Sequence, residues 1–216
     1  MPSQAVQRIS LRWLPDPAFE DTDTIALNVG GYFIDLRVTL KDQTIQWSRA
    51  GERIALKDDP PTFRWTHIID SLDLTVPDEA HFEKLANGDD LEIGVTPAPH
   101  NNNIPTAYEE VWRDVTAKNT PSELSWILQS VDRSTFVGKV GGIYLAIQKA
   151  SAGFAAVRED RSANAWSTTF QSHGGEGLPS ATQAIEAIEA GRQSWAEGQT
   201  LDIQNTNYLF RAVSSD

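Results

Sequence analysis

The chain contains no cysteine and a single methionine among 216 residues. Disulfides, thiolate metal sites and a cysteine nucleophile are thereby excluded, although the redox compartment is left open. No apolar run approaches the length of a membrane span. The first residues, MPSQAVQRIS, have neither the charged start nor the apolar stretch of a secretory signal. Cations are also scarce, with 18 Lys and Arg against 30 Asp and Glu and a net charge of −12. Phosphate backbones and anionic membrane surfaces both call for clustered positive charge. Neither nucleic acid nor membrane is therefore an expected partner, and the default compartment is the cytoplasm with access to the nucleus.

Motifs of known chemistry are equally sparse. His67, His81, His100 and His173 are widely separated, with no HxH or HExxH spacing. The glycines of VGGY (29–32) and VGKVGGIY (137–144) spell neither a dinucleotide fingerprint nor a phosphate loop. No serine sits in a GxSxG elbow. No metal, no cofactor and no covalent serine mechanism is expected.

What the chain does have is tryptophan, seven in all, set mostly in short runs that alternate apolar and polar residues. RISLRW (8–13), YFIDLRV (32–38), TIQWSRA (44–50), FRWTHII (63–69) and WSTTF (166–170) are examples. A period of two puts alternate side chains on opposite faces of a strand. The first half reads as a strand meander with runs near 7–13, 24–29, 32–40, 43–48, 51–57, 62–72 and 89–96. Turn chemistry separates them at Gly30-Gly31, Asp58-Asp59-Pro60-Pro61 and Asn87-Gly88-Asp89-Asp90. Residues 76–88 are expected to hold a short helix, and TPAPHNNNIPT (96–106) a loop. AKNTPSE (117–123) marks the division between an N-terminal unit, 1–117, and a C-terminal unit, 118–216. The second unit is again strand-like, with one amphipathic helix at 182–195 and a closing hairpin around Asn205-Thr206-Asn207. The expected class is all-β with that one helix.

Periodicity leaves 108–115 open. As a strand it places Glu110 between Tyr108 and Trp112 on an aromatic face, where desolvation would raise its pKa and fit it to donate a proton or hold a cationic centre, with a buried ion pair to an arginine as the structural alternative. As a helix it leaves Glu110 wet and pairs Glu109 with Arg113. His67 would share a strand face with Phe63, Trp65 and Ile69, as an acid or base near neutral pH or as a satisfied core histidine. Asp35 and Arg37 share one face of their run, expected to be solvent-exposed or salt-bridged to a neighbouring strand. Arg158 and Arg161 look like a charged strand end, with binding of an acidic ligand group as the alternative.

The segments QWSRAGE (46–52), FRWTHIIDS (63–71), YEEVWRD (108–114), VGKVGGIYLAIQK (137–149), VREDRSANAW (157–166), WAEGQTL (195–201) and YLFRAV (208–213), in that order, resemble the fungal HRI family. The resemblance spans nearly the whole chain. It implies two lipocalin-like (calycin-type) antiparallel β-barrel halves, the strand reading of 108–114, and a kinase-linked interaction role. Lipocalin-like barrels by analogy hold apolar small molecules, and some act as cofactor-independent cyclases or isomerases in fungal natural-product pathways. Two functions follow as expectations. One is a barrel that binds a largely apolar molecule, with Glu110 and His67 as acid and base and Trp47, Trp65, Tyr108 and Trp112 as the wall. The other is a non-catalytic adaptor with a solid interior and a protein partner.

Overall fold

The computed structural model describes residues 2–98, 101–102, 104–116, 124–163, 165–191 and 195–214. Its first sheet holds β1 (Gln4–Trp13), β2 (Thr22–Val29), β3 (Tyr32–Thr39), β4 (Ile45–Asp58), β5 (Pro61–Trp65), β6 (Ile69–Asp70), β7 (Asp78–Lys84), β8 (Asp90–Ala98) and β9 (Ile104–Asp114). Antiparallel neighbours run β3-β2-β1-β9-β8-β7-β5-β4, and β3 also pairs with β4. Eight strands therefore close into a barrel, which leaves them no free edge, and the short β6 pairs with β4.

The second sheet holds β10 (Ser125–Ser130), β11 (Thr135–Val140), β12 (Ile143–Ala150), β13 (Gly153–Ser162), β14 (Ala165–Gln171), β15 (Thr200–Ile203) and β16 (Thr206–Ser214). Its order is β14-β13-β12-β11-β10-β16-β15, again antiparallel throughout. Among the described residues, one short 3-10 turn (Gly175–Gly177) and one α-helix, α1 (Ala181–Ala190), lie between β14 and β15. The chain is all-β and antiparallel, as the alternating runs and the family resemblance implied; of the two barrels expected, the first half closes with eight strands, whereas the second forms a sheet with β14 and β15 at its ends and no pairing between them among the described residues.

Where pairing competes with local propensity, pairing wins. Residues 78–84, expected as helix, form β7 because both edges of the segment bond to β5 and β8. The expected loop at 96–106 is shortened from each side by β8 and β9, whose ladder runs to Ala98 opposite Ile104. Residues 99, 100 and 103 of that loop lie outside the described residues, as do 117–123, where the division was placed. The runs 43–48 and 51–57 belong to one continuous strand, β4. By contrast, 62–72 is broken into β5 and β6, and 108–114 is strand.

The helix starts one residue earlier than expected because Ser180 caps it. The Ser180 hydroxyl accepts from the Gln183 N–H, and the Gln183 side chain accepts from the Ser180 N–H. It ends at Ala190, and residues 192–194 of the expected span are outside the described residues. Trp195 returns to it, donating Nε1–H to the Ile188 carbonyl at 2.9 Å and stacking on Phe210 with ring centroids 4.8 Å apart. The closing hairpin turns at Gln204 and Asn205, both with positive φ, as a two-residue primed turn requires.

The polarity of the barrel is turned inside out along β2 and β3. Their apolar alternates, Ile25, Leu27, Val29, Ile34, Leu36 and Val38, face away from the lumen into a core shared with Ile127, Phe136, Leu145 and Ile147 of the second sheet. Gly138 marks a close approach: a β-carbon there would lie 2.9 Å from the Ile34 Cδ1. The other face of the second sheet packs on α1 through Trp126, Leu128, Tyr144, Ala184 and Ile188. Salt bridges from Arg158 to Asp23 and from Lys149 to Asp73 also join the sheet to the barrel. Arg158 pairs with Asp160 as well, and Arg161 lies over the Trp166 ring.

Candidate functional site

With their apolar alternates turned outward, β2 and β3 send Thr24, Asp35 and Arg37 into the barrel. A bulge in β1 between Arg8 and Ser10 lets both Arg8 and Leu11 face the same interior. Arg8 and Arg37 grip one carboxylate oxygen of Glu110, at 2.6 and 2.8 Å. Arg37 also donates twice to Asp35 Oδ2, at 3.1 Å each, and Arg8 forks onto Glu20 at 2.8 and 2.9 Å. Asp35 and Arg37 are therefore buried and paired within one strand, and neither faces solvent.

Glu110 is buried among rings, as the strand reading required. Its pKa, however, moves opposite to the expected direction. Burial opposes its charge, but Arg37 and Arg8 more than compensate and hold it below the usual carboxylate range. The proton-holding carboxyl is Glu92, directly opposite Glu110 on the β8–β9 ladder. Burial, and next the neighbouring negative charge of Glu110, push Glu92 up to about 7. Tyr108 donates to it at 2.7 Å. Gly94 makes that bond geometrically possible, because a β-carbon there would lie 2.6 Å from the Tyr108 hydroxyl. LEIGV (91–95) carried a signal for Glu92, since its alternation puts Glu92 and Gly94 on one face. That face reads as solvent-facing unless the barrel is known to be polar inside.

Above the ion cluster lies a cavity of about 190 Å³, open at one end of the barrel. Phe63, Trp65 and Phe82 form one wall, with centroids 5.8 to 6.2 Å apart. Arg53 rests over the Phe63 ring at 3.7 Å, and burial lowers its pKa to about 10. Asp35, Arg49, Glu92 and Trp112 also line the space. Of the six residues singled out from the sequence, Trp65 and Trp112 line the cavity, while Tyr108 reaches it through Glu92. Glu110 lies among the arginines that pair with it and outside the lining.

His67 and Trp47 belong to a separate cluster. His67 follows the end of β5, so it does not continue the face of Phe63 and Trp65. Its side chain is fully buried, with Nδ1 2.7 Å from Asp70 Oδ2 and Nε2 3.2 Å from Asp78 Oδ2. Trp47 donates to Asp70 at 2.9 Å and stacks near the His67 ring. Arg49 joins this cluster to the cavity: its guanidinium lies 4.0 Å from the Trp47 ring centroid and pairs with Asp78. Among the described residues, no group of three or more His, Asp or Glu is arranged to hold a metal ion. No described helix is long and apolar enough to cross a membrane.

An up-and-down antiparallel barrel with an accessible, partly aromatic interior defines a lipocalin-like architecture. The family model for Protein HRI1 matches residues 4–206, and the chain belongs to that family. The crystal structure of the uncharacterized protein YLR301w from Saccharomyces cerevisiae is similar across the whole fold. Its TM-score is 0.76 at 14% identity, covering 98% of this chain and 99% of that one. No curated protein matches the sequence significantly.

Proposed function

We propose that the barrel binds a compact small molecule in the cavity bounded by the rings of Phe63, Trp65 and Phe82 and, around the rest of the lumen, by Asp35, Arg49, Glu92 and Trp112. The observation that carries this is the composition of the space. The rings of Phe63, Trp65 and Phe82 occupy one side, and around the rest stand buried polar side chains, three of which (Asp35, Arg49 and Trp112) each keep one polar atom without a hydrogen-bond partner. A solid interior, which an adaptor alone would need, has no reason to keep those groups unsatisfied. At about 190 Å³ the cavity is small for a ligand site but larger than an engineered cavity of about 150 Å³ that accepts benzene. The ligand is accordingly small and half polar, less apolar than tryptophan content alone suggests.

Conversion of the ligand by a cofactor-independent cyclase or isomerase route would fall to Glu92. It faces the cavity, its proton is exchangeable near neutrality, and Tyr108 orients it. Native mass spectrometry of protein purified from its own host tests the binding proposal. A co-purifying mass is expected on the wild type and absent from Ala26→Phe, whose ring would fill the lumen from β2. Bare protein at full occupancy of the folded state, or the same adduct on both proteins, would refute it.

A further inference from the structure

Three side chains around the cavity are more than nine-tenths buried, and each keeps one polar atom without a hydrogen-bond partner: Asp35 Oδ1, Arg49 Nε and Trp112 Nε1. Their arrangement is specific. Asp35 and Arg49 are directly opposite on the β3–β4 ladder. Arg49 Nε stands 3.7 Å from Asp35 Oδ2, too far for a hydrogen bond. One acceptor and one donor are thus side by side on a single wall. Trp112 offers a second donor from β9, which is three strands from β3 and four from β4 around the ring and so on the opposite wall.

Adjacent donor and acceptor groups discriminate by chemistry. A carboxylate would satisfy Arg49 but set its second oxygen against Asp35. An amidinium would satisfy Asp35 but set its second N–H against Arg49. A hydrocarbon would satisfy neither. A cyclic amide offers N–H and C=O in the same plane and matches both. An acceptor on the far side of the same ring then meets the indole N–H, and the flat faces lie against Phe63, Trp65 and Phe82. Resting on the binding reading above, we infer that the barrel takes a neutral oxo-substituted nitrogen heterocycle of one or two rings, of the pyrimidine or purine base type. Glu92 supports this choice, because a carboxyl that carries its proton near neutrality adds no further negative charge to the wall.

Four one-ring probes and one variant test the inference: uracil, 2-pyridone, benzoate and toluene, titrated by calorimetry at pH 6.5 against the wild type and Trp112→Phe. Uracil presents N1–H and C2=O on one edge and C4=O across the ring, whereas 2-pyridone has the edge without the far carbonyl. Uracil is expected to bind about tenfold more tightly than 2-pyridone, the worth of one hydrogen bond. Benzoate and toluene are expected to be weaker still. Trp112→Phe should erase the uracil advantage while leaving 2-pyridone unchanged, a ligand-specific effect that loss of packing would not produce. Near-ultraviolet circular dichroism checks that the variant is folded. If benzoate or toluene binds as tightly as uracil, the site stands but the ligand class is wrong. If none of the four binds the folded wild type at millimolar concentration while a host-derived adduct is seen, the heterocycle inference again fails alone. If neither probes nor adduct bind, both proposals fall. An unchanged uracil advantage in Trp112→Phe would also overturn the inference.

Discussion

Replacing Glu92 by glutamine should make the protein more tolerant of alkaline conditions, by an amount that follows from its position opposite Glu110. The Glu92 carboxyl titrates at about 7 in the folded state against 4.5 for the unfolded group. Below pH 4.5 both states hold the proton, and Glu92 takes nothing from stability. Between 4.5 and about 7 the unfolded chain releases the proton while the folded chain keeps it. Stability then falls by about 1.4 kcal/mol per pH unit, to a total loss of about 3 kcal/mol. Above pH 7 both states are ionised and the loss levels off. Glutamine still accepts from Tyr108 but does not titrate. Urea unfolding followed by tryptophan fluorescence should therefore show the stability of Glu92→Gln relative to wild type rising by about 2–3 kcal/mol between pH 5 and pH 8. A difference that stays constant across that range would mean Glu92 is already ionised, and the acid–base role assigned to it would fail with it.

Glu110→Gln should show the opposite sign. It strips the shared counter-charge from Arg8 and Arg37 and should cost about 3–5 kcal/mol at pH 7 in the same urea assay. That penalty should shrink as pH falls below the ordinary carboxylate pKa, because the wild-type carboxyl is then lost to protonation as well. Ile34→Ala opens space in the core shared by the barrel and the second sheet and should cost about 2–5 kcal/mol. A loss below about 1 kcal/mol would mean that the two sheets are not pressed together there. Ser180→Ala removes half of the reciprocal cap on α1 and should lower stability by about 1 kcal/mol. Glycine at the same position should cost only a few tenths.

The strands and their antiparallel order were legible because alternation survives in a barrel whatever lies inside it. Which face points inward was not. Ile34, Leu36 and Val38 read as an inward stripe, and they are buried, but against another sheet. Asp35 and Arg37 read as solvent-facing or salt-bridged to a neighbouring strand, and the second holds: Asp35 pairs with Arg49 of β4 as well as with Arg37, which also meets Glu110. A single sequence does not reveal that a second sheet will cover the apolar side. The same inversion hides Glu92 on an apparent solvent face and makes desolvation look like the dominant influence on Glu110. Its arginine partners Arg8 and Arg37 are 102 and 73 residues away in sequence. The helix expected at 76–88 failed for a related reason: Ala80 and Phe82 satisfy a two-residue period once β5 and β8 flank them.

β3 serves as a partition between two differently furnished rooms. Phe33, Asp35 and Arg37 hang on one side, Ile34, Leu36 and Val38 on the other, each a single peptide from its neighbour. Close-packed matter passes displacement along and does not soak it up. A guest tugging on Asp35 should therefore be felt across the seam, as slower amide exchange in β10 and β11, two strands that no guest inside the lumen touches.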